Sequence, residues 1–272
     1  MAFFFIQMSD PQFGLYADRA KAADPQTGVT GFAYETERYE KAVAEANRLG
    51  PEFVVVTGDL VQHPSDSGQI DELVRINGML DSRIPLRLLA GNCDVGNAPT
   101  ASLVGQYRER FGDDNYSFDH GGVHFVALDS SVAFDPTHVP QEWDRQTEFL
   151  EADLARAAGR GTGRVVVFMH HPLFGENPGE KDGPRAIPFE RRRILLDMFH
   201  AASVSAVFAG HWHANNHAWD GGMEMVVTSA VGLSLGDDPS GFRIVKVYDD
   251  RIEHRYYGLD EMPEAVDLGD GE

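Results

Sequence analysis

The sequence predicts an α/β fold in the form of a four-layer αββα sandwich, with two mixed β-sheets flanked by helices. Short β-branched or aromatic runs alternate with helical patterns, as in strand–helix units. Helical patterns become rare after residue 203, where strands follow one another through short turns. The 272 residues are 42% apolar and 24% charged, which is a globular composition. A chain of this size buries roughly 75% of its unfolded surface, which is enough for a sandwich without disulfides.

Nine segments have the apolar character of strands, and several are almost continuously apolar, as expected where both faces are covered. They are Phe3–Met8, Phe53–Thr57, Leu86–Ala90, Val123–Leu128, Val165–Met169, Val204–Ala209, Met223–Thr228, Phe242–Val247 and Ile252–Tyr257. The sheet-rich C-terminal half is expected to pack against a helix-flanked N-terminal half. We expect one domain over residues 1–260, followed by an acidic, flexible tail over residues 261–272.

Helical periodicity marks two apolar stripes. One contains Tyr39, Val43, Ala46 and Leu49, and the other contains Ile194, Leu195, Met198 and Phe199. Three segments without periodicity are predicted to be long loops, namely Phe13–Tyr34, Ser130–Gln141 and Leu173–Pro188. The first and third follow candidate site residues, so we interpret them as facing a substrate. Surface decoration is the alternative.

The charge and cysteine content exclude several classes of function. The net charge is −20, which disfavours binding to nucleic-acid backbones and anionic membranes. The single cysteine, Cys93, excludes an internal disulfide and a cysteine-based zinc finger. No apolar run approaches the ~20 residues that span a bilayer. The segment 1–6 lacks a basic n-region and is predicted to be a first strand. We expect a cytoplasmic monomer.

Candidate ligands follow five of the predicted strands. In α/β sheets, sites form outside the carboxyl ends of the strands. Each motif alone is weak, because Gly-Asp or Gly-Asn at a strand end is more often a turn. Their joint occurrence is the evidence for a site. The motifs are Ser9-Asp10-Pro11-Gln12, Gly58-Asp59, Gly91-Asn92-Cys93-Asp94, His170-His171-Pro172 and Gly210-His211-Trp212-His213.

The donor types indicate the kind of metal site. Carboxylates, amides and imidazoles suit manganese, iron, zinc, cobalt or nickel. Seven ligands are too many for one tetrahedral ion and suit two ions that share a carboxylate, an arrangement that supports phosphoryl displacement. The seven are Asp10, Gln12, Asp59, Asn92, His170, His211 and His213.

These motifs resemble those of the calcineurin-like metallophosphoesterase superfamily: Asp-x-His, Gly-Asp, Gly-Asn-His-Asp, His and Gly-His-x-His. The resemblance extends from residue 3 to residue 257. Four segments are similar to a narrower branch, the calcineurin-like phosphoesterase domain-containing Ser/Thr protein phosphatases. They are residues 9–15, 91–100, 226–232 and 254–257.

The resemblance implies two divalent or transition-metal ions (manganese, iron or zinc) with Asp59 as the bridge. It places Asp10, Gln12 and His213 on the first ion, and Asn92, His170 and His211 on the second. His171 matches no ligand position and is expected to be a packed neighbour. The implied enzyme is a phosphomonoesterase, similar to Ser/Thr protein phosphatases, that attacks phosphorus with a metal-bridging hydroxide. The alternatives are a phosphodiesterase acting on small nucleotides and a metal-binding scaffold with weakened catalysis.

Two positions depart from the family pattern. Gln12 replaces a histidine, which implies a weaker or harder first metal site. Cys93 replaces the histidine that assists the leaving group, with Asp94 supporting it, so Asn92, Cys93 and Asp94 are the expected catalytic residues. A free thiol has a pKa of about 8.5 and is a possible proton donor, although nearby metals favour the thiolate. The alternative for Cys93 is a buried small apolar residue.

Overall fold

The computed structural model describes residues 2–161 and 163–269, and in these ranges it confirms the predicted sandwich. The strands are β1 (Phe3–Met8), β2 (Val54–Val56), β3 (Leu86–Leu88), β4 (Tyr116–His120), β5 (Val123–Ala127), β6 (Arg164–Phe168), β7 (Val204–Ala209), β8 (Asn216–Asp220), β9 (Met223–Val227), β10 (Gly241–Val247) and β11 (Ile252–Gly258). The helices are α1 (Leu15–Ala23), α2 (Ala33–Leu49), α3 (Ser67–Asn77), α4 (Asn92–Val95), α5 (Ala101–Phe111), α6 (Ser130–Phe134), α7 (Pro140–Arg160) and α8 (Phe189–Ala201).

The two sheets are mixed. The first has the strand order β11-β10-β1-β2-β3, and the second has the order β4-β5-β6-β7-β9-β8. Strands β1, β2 and β3 are parallel, as are β5, β6, β7 and β9. The C-terminal strands β10 and β11 return to the first sheet, where β10 pairs antiparallel with β1. The expected division into an N-terminal and a C-terminal half is therefore wrong, because both ends of the chain build the first sheet.

Three apolar layers hold the four structural layers together. Alternate residues of β1 show the arrangement, since Phe4 and Ile6 face the helices while Phe3 and Phe5 face the other sheet. In the second sheet, Val167 of β6 packs toward α7 and α8. These strands are almost continuously apolar because both of their faces are buried.

Two strands were not predicted, β4 and β8. Both lie at edges of the second sheet, and only one residue of β8 and none of β4 is buried. Each forms a hairpin with the next strand through a Gly-Gly turn, and Gly121 and Gly122 both have positive φ. They were not predicted because their composition is largely polar, although a Gly-Gly pair between strands is a hairpin signal.

Two of the three predicted loops contain helices, so those predictions are wrong. The segment Phe13–Tyr34 contains α1, in which only Leu15 is buried, so no apolar stripe marks the helix. The segment Ser130–Gln141 contains α6, which Asp129 caps by accepting a hydrogen bond from Ser131 N. The segment Leu173–Pro188 has no helix or strand, as predicted.

Residues 261–269 lie against the first sheet's helices. Met262, Val266 and Leu268 pack on the core there, and the Arg48 guanidinium donates to the carbonyl of Glu264 at 2.6 Å. The rest of the predicted tail, residues 270–272, lies outside the described residues. No helix in the described ranges is both long and apolar enough to cross a bilayer.

Candidate metal centre

The predicted ligands meet at one end of both sheets. Parallel strands deliver them there, because the carboxyl ends of β1, β2 and β3 face the same way, as do those of β6 and β7. The first sheet contributes Asp10, Gln12, Asp59 and Asn92, and the second contributes His170, His211 and His213. The site therefore lies across the junction of the two sheets.

Five of these residues form two groups that share one carboxylate. In each group, the ligand atoms lie within 4.8 Å of one another. One group is Asp10, Asp59 and His213, and the other is Asp59, His170 and His211. Asn92 joins the second group, since its Oδ1 lies 3.0 Å from His170 Nε2. Asp59 is the residue common to both groups.

The backbone at the site has an unusual conformation. Six non-glycine residues in the described ranges have φ in the left-handed region, and five of them are predicted ligands. They are Asp10, Gln12, Asp59, His211 and His213, with φ between 38° and 72°. Such conformations cost free energy and concentrate at functional sites, where the surrounding structure enforces them. Here they turn successive side chains sharply toward the junction of the sheets.

Glycines next to the ligands allow close approach. A Cβ at Gly91 would lie 2.2 Å from Asp59 Oδ1, and a Cβ at Gly210 would lie 1.7 Å from Ser9 Oγ. Any side chain at either position would displace a predicted ligand or its hydrogen-bond partner. This explains why Gly precedes the Asn and His of these motifs.

Hydrogen bonds to backbone carbonyls define which nitrogen of each histidine faces the site. His170 Nδ1 lies 2.8 Å from Thr57 O, His211 Nε2 lies 3.1 Å from Pro184 O, and His213 Nδ1 lies 2.5 Å from Leu233 O. A carbonyl only accepts, so these nitrogens carry the protons. The opposite nitrogen of each ring faces the site and is available to a metal, which is the usual arrangement of metal-binding histidines.

Two oxygens support the fit to cations. Asp10 Oδ1 and Gln12 Oε1 are buried and have no hydrogen-bond partner. Unpaired buried oxygens are costly in a protein interior, and coordination to a cation removes that cost. The Gln12 amide is oriented by its nitrogen, which donates to Gln62 Oε1 at 2.8 Å and to Cys93 Sγ at 2.9 Å. The donor set thus matches hard or intermediate divalent metals.

Electrostatics in the metal-free site favour cation binding. Burial raises the pKa of Asp59, but the charge and hydrogen bond of His170, the Cys93 N–H and the charge of His211 together outweigh burial and lower it. Burial lowers the pKa of His170, while Asp59 and Asp10 raise it to about 9. A proton on His170 thus compensates the carboxylates, and a bound metal must displace it.

Known proteins share this sequence and fold. The calcineurin-like phosphoesterase family model matches residues 5–215. The serine/threonine-protein phosphatase CPPED1 of Bos taurus is 39% identical over 268 residues, covering 96% of this chain and 85% of that protein. The protein of the same name from Homo sapiens is 38% identical over 269 residues, with the same coverage. The chain belongs to the calcineurin-like phosphoesterase family.

Solved structures support the fold assignment. Purple acid phosphatase PPD1 from yellow lupin seeds superposes with a TM-score of 0.70 at 15% identity, covering 96% of this chain and 52% of that one. A dimetal phosphatase from Danio rerio superposes with a TM-score of 0.66 at 18% identity, covering 95% and 97%. Membership of the calcineurin-like phosphoesterase family makes the chain a phosphoester hydrolase whose fold implies two metal ions.

At position 93, where the calcineurin-like phosphoesterase motif has histidine, the thiol has polar neighbours from three directions. Besides Gln12, these are Asn92 Nδ2 at 3.6 Å and Gln62 Oε1 at 3.9 Å. Burial and the negative charge of Asp59 raise the pKa of the Cys93 thiol. The thiol is therefore protonated at neutral pH in the metal-free protein.

Asp94 does not hydrogen-bond to the Cys93 thiol, so the expected support for Cys93 is absent from the described contacts. Its carboxylate instead accepts from the backbone N–H groups of Leu60, Val61 and Gly91 at 2.8–3.2 Å. These bonds hold the turn that follows Asp59. Asp94 thus supports the turn after Asp59 and does not support the thiol.

His171 is packed, as expected. Its ring is buried and stacks on Phe134 with centroids 4.7 Å apart, and its Nδ1 lies 3.0 Å from Ser130 Oγ. Sequence reasoning missed Gln62, which contacts both Gln12 and Cys93. The available signal was its place three residues after Asp59.

A third group with metal-ligand chemistry lies outside the site. His217, Glu224 and His254 come from β8, β9 and β11, and both His Nε2 atoms lie within 2.8 Å of Glu224 Oε1. Arg243 Nη1 lies 2.9 Å from His254 Nδ1 and can only donate. A neutral His254 then carries its proton on Nε2, which donates to Glu224. This group joins the edges of the two sheets through hydrogen bonds.

Proposed function

We propose that this chain is a two-metal phosphomonoesterase. Asp10, Gln12, Asp59 and His213 would hold the first ion, and Asp59, Asn92, His170 and His211 would hold the second. The observation that carries the proposal is the pair of ligand groups that share Asp59. The donor types favour manganese, iron or zinc.

Two ions bound there would supply an activated water for attack on phosphorus and would neutralise charge on the phosphoryl oxygens. The chain's own residues contribute position and protons. Carbonyl hydrogen bonds orient the imidazoles, and the Gln62–Gln12 hydrogen bond orients the amide. Cys93 holds a proton at Sγ beside Asn92 and is a candidate donor for a leaving group.

The names of the relatives suggest the substrate class. This chain matches 85% of the length of the CPPED1 proteins, and these are named serine/threonine-protein phosphatases. We therefore infer phosphoserine or phosphothreonine in a protein as the substrate. The net charge of −20 supports the predictions that neither nucleic acid nor an anionic membrane is a partner. Cytoplasmic location and a monomeric state stay predictions.

The decisive experiment compares substrates on metal-reconstituted protein. With Mn²⁺, we expect rapid turnover of p-nitrophenyl phosphate and slower turnover of a phosphothreonine peptide, with little turnover of bis-p-nitrophenyl phosphate or cyclic nucleotides. Preference for the diesters would establish the phosphodiesterase alternative. Binding of two ions without turnover of any ester would establish the scaffold alternative.

Asp59→Asn tests the bridge, and Asp153→Asn is the matched control. Asp153 is also a buried carboxylate bonded to a histidine, with Oδ2 lying 2.7 Å from His124 Nε2, but it lies on α7. Asp59→Asn should abolish turnover and lower the metal content below two ions per chain, whereas Asp153→Asn should retain both. An Asp59→Asn protein with full activity would exclude Asp59 as the bridge.

A further inference from the structure

A chain of buried hydrogen bonds runs between the two sheets and ends at a predicted metal ligand. Its members are buried, and they come from β1, from β10 and from the residues that directly follow β1, β2 and β9. From Arg243, Nε contacts Thr228 Oγ1 at 2.8 Å, and Thr228 Oγ1 contacts Gln7 Oε1 at 2.7 Å. Gln7 Nε2 then contacts Thr57 Oγ1 at 3.2 Å, and Thr57 Oγ1 contacts Ser9 Oγ at 2.9 Å. The last contact joins Ser9 Oγ to Asp10 Oδ2.

The two ends of this chain determine the direction of every proton in it. A guanidinium only donates, so Thr228 accepts from Arg243 and gives its own proton to Gln7 Oε1. That orients the Gln7 amide, whose nitrogen donates to Thr57 Oγ1 and to Ala209 O at 3.0 Å.

The far end follows from the same reasoning. The Thr57 hydroxyl has Ser9 Oγ at 2.9 Å and the more distant Met8 O at 3.3 Å as acceptors. Ser9 then donates to Asp10, because a carboxylate only accepts. All donors therefore point from Arg243 toward the metal centre, and none of the three hydroxyls competes with its neighbour.

The chain selects one oxygen of Asp10. Oδ2 accepts from Ser9 and from His211 N at 3.1 Å, which leaves Oδ1 without a hydrogen-bond partner and 3.3 Å from His213 Nε2. Gly210 leaves room for the Ser9 hydroxyl, because a Cβ at residue 210 would lie 1.7 Å from Ser9 Oγ. A carboxylate fixed in this way presents Oδ1 to a cation with little freedom left to lose.

We propose that Arg243, Thr228, Gln7 and Thr57 are positioning residues for the first metal, and that they act through Ser9 on Asp10. The inference rests on the proposed two-metal centre. The competing explanation is that the chain only links the two sheets. The two explanations differ in whether a break far from Asp10 changes metal affinity.

Thr228→Val is the sharpest test, because it preserves the shape of the side chain and breaks the chain three hydrogen bonds away from Ser9. Mn²⁺ affinity of the metal-free protein is measured by calorimetric titration, beside thermal unfolding without metal. We expect one of the two Mn²⁺ sites to weaken about tenfold, since partners of metal ligands typically affect affinity 10- to 100-fold. Thr228→Ser should restore the wild-type affinity.

Ser117→Ala is the matched control. Its hydroxyl also donates to a buried carboxylate, Asp153, at 2.8 Å, but it lies on the edge strand β4. It should leave both Mn²⁺ affinities unchanged. If Thr228→Val does not fold, Thr57→Val breaks the same chain between Gln7 and Ser9 and should weaken the same site.

Lower thermal stability of Thr228→Val with both Mn²⁺ affinities unchanged would show that the chain is only a link between the sheets, and would overturn the inference. Failure of the wild-type protein to bind two ions would overturn the proposed metal centre as well. That result is distinguishable because it appears before any variant is compared.

Discussion

At the scale of single residues, position 93 has the clearest consequence for catalysis. Where the family has an imidazole, this chain has a thiol whose pKa burial and Asp59 raise. Such a thiol is a weak acid toward a leaving alkoxide. We therefore expect turnover to depend strongly on leaving-group basicity, with aryl phosphates hydrolysed well and alkyl phosphates, including phosphoserine, hydrolysed slowly.

Cys93→His tests this dependence. General acid assistance is typically worth about 10²- to 10⁴-fold, so the variant should accelerate alkyl esters more than aryl esters. The measurement is a leaving-group series on both proteins at constant metal concentration and pH. Equal slopes for the two proteins would show that residue 93 does not protonate the leaving group and would favour a packing role.

Gln12 affects the affinity of the first metal site. Its neutral amide oxygen is a weaker donor to zinc or iron than an imidazole nitrogen. Gln12→His should therefore tighten zinc binding at the first site by about tenfold or more, as measured by competition with a chelator. Gln106→His, on α5, controls for nonspecific binding by an added imidazole. Equal zinc affinities in wild type and Gln12→His would place residue 12 outside the ligand set.

At the scale of elements, the short helix α6 carries a buried acid at its N-terminus. Burial, reinforced by the charge of Asp114, raises the pKa of Asp129 to about 7. An unfolded aspartate has a pKa of about 3.9, so between these values the folded protein holds a proton that the unfolded chain releases. The contribution of Asp129 to the free energy of unfolding is therefore highest below about pH 4 and falls as the pH rises toward 7, because the unfolded chain releases the Asp129 proton first.

Asp129→Asn should remove this loss while keeping an oxygen that caps Ser131 N. We expect the variant to exceed wild type at pH 8 by up to about 4 kcal/mol in free energy of unfolding, and to match it near pH 4. Urea denaturation across this range provides the measurement. The same slope in both proteins would show that Asp129 is ionised throughout.

Asp153 is a control because its pKa is shifted in the opposite direction to that of Asp129. Burial raises its pKa, but the hydrogen bonds from His124, Ser117 and Arg156 together outweigh burial and lower it overall. A lowered pKa contributes stability above the unfolded value that is lost as the pH falls. Asp153→Asn should therefore be less stable than wild type at pH 7 and approach wild type in acid.

At the scale of the whole molecule, the proposed metals join the two sheets. Asp10, Asp59 and Asn92 follow strands of the first sheet, while His170 and His211 follow strands of the second. Ions that bind only the folded state stabilise it by mass action, by about 2.7 kcal/mol for each site at 100 times its Kd. Metal binding should therefore oppose separation of the sheets.

Thermal unfolding in chelator and in excess Mn²⁺ measures this effect. We expect a clear rise in Tm with Mn²⁺ for wild type and a smaller rise for Asp59→Asn, because that variant weakens both ligand groups. Identical Tm values for wild type under the two conditions would contradict metal binding across the junction of the sheets.

Sequence reasoning alone predicted the central strands, the order of the ligand motifs along the chain and the family. These are local properties. A buried strand is marked by its own apolar run, and a predicted ligand such as Asp59 or His170 is marked by its place directly after a strand. The edge strands β4 and β8 and the helix α1 were not predicted because little of each is buried, so they lack an apolar pattern, and the Gly-Gly turns were the local signal of the two strands.

The partners of the polar side chains became visible in the folded structure and not in the sequence. Gln7 donates to Ala209, Gln12 to Gln62 and Cys93, and Asp94 accepts from the turn after Asp59 rather than from the thiol. The folded structure also showed that β10 and β11 complete the first sheet. The physical reason is common to all of them. A hydrogen bond forms between groups that folding brings within about 3 Å, and residues tens to hundreds of positions apart leave no periodic trace of that proximity in the sequence.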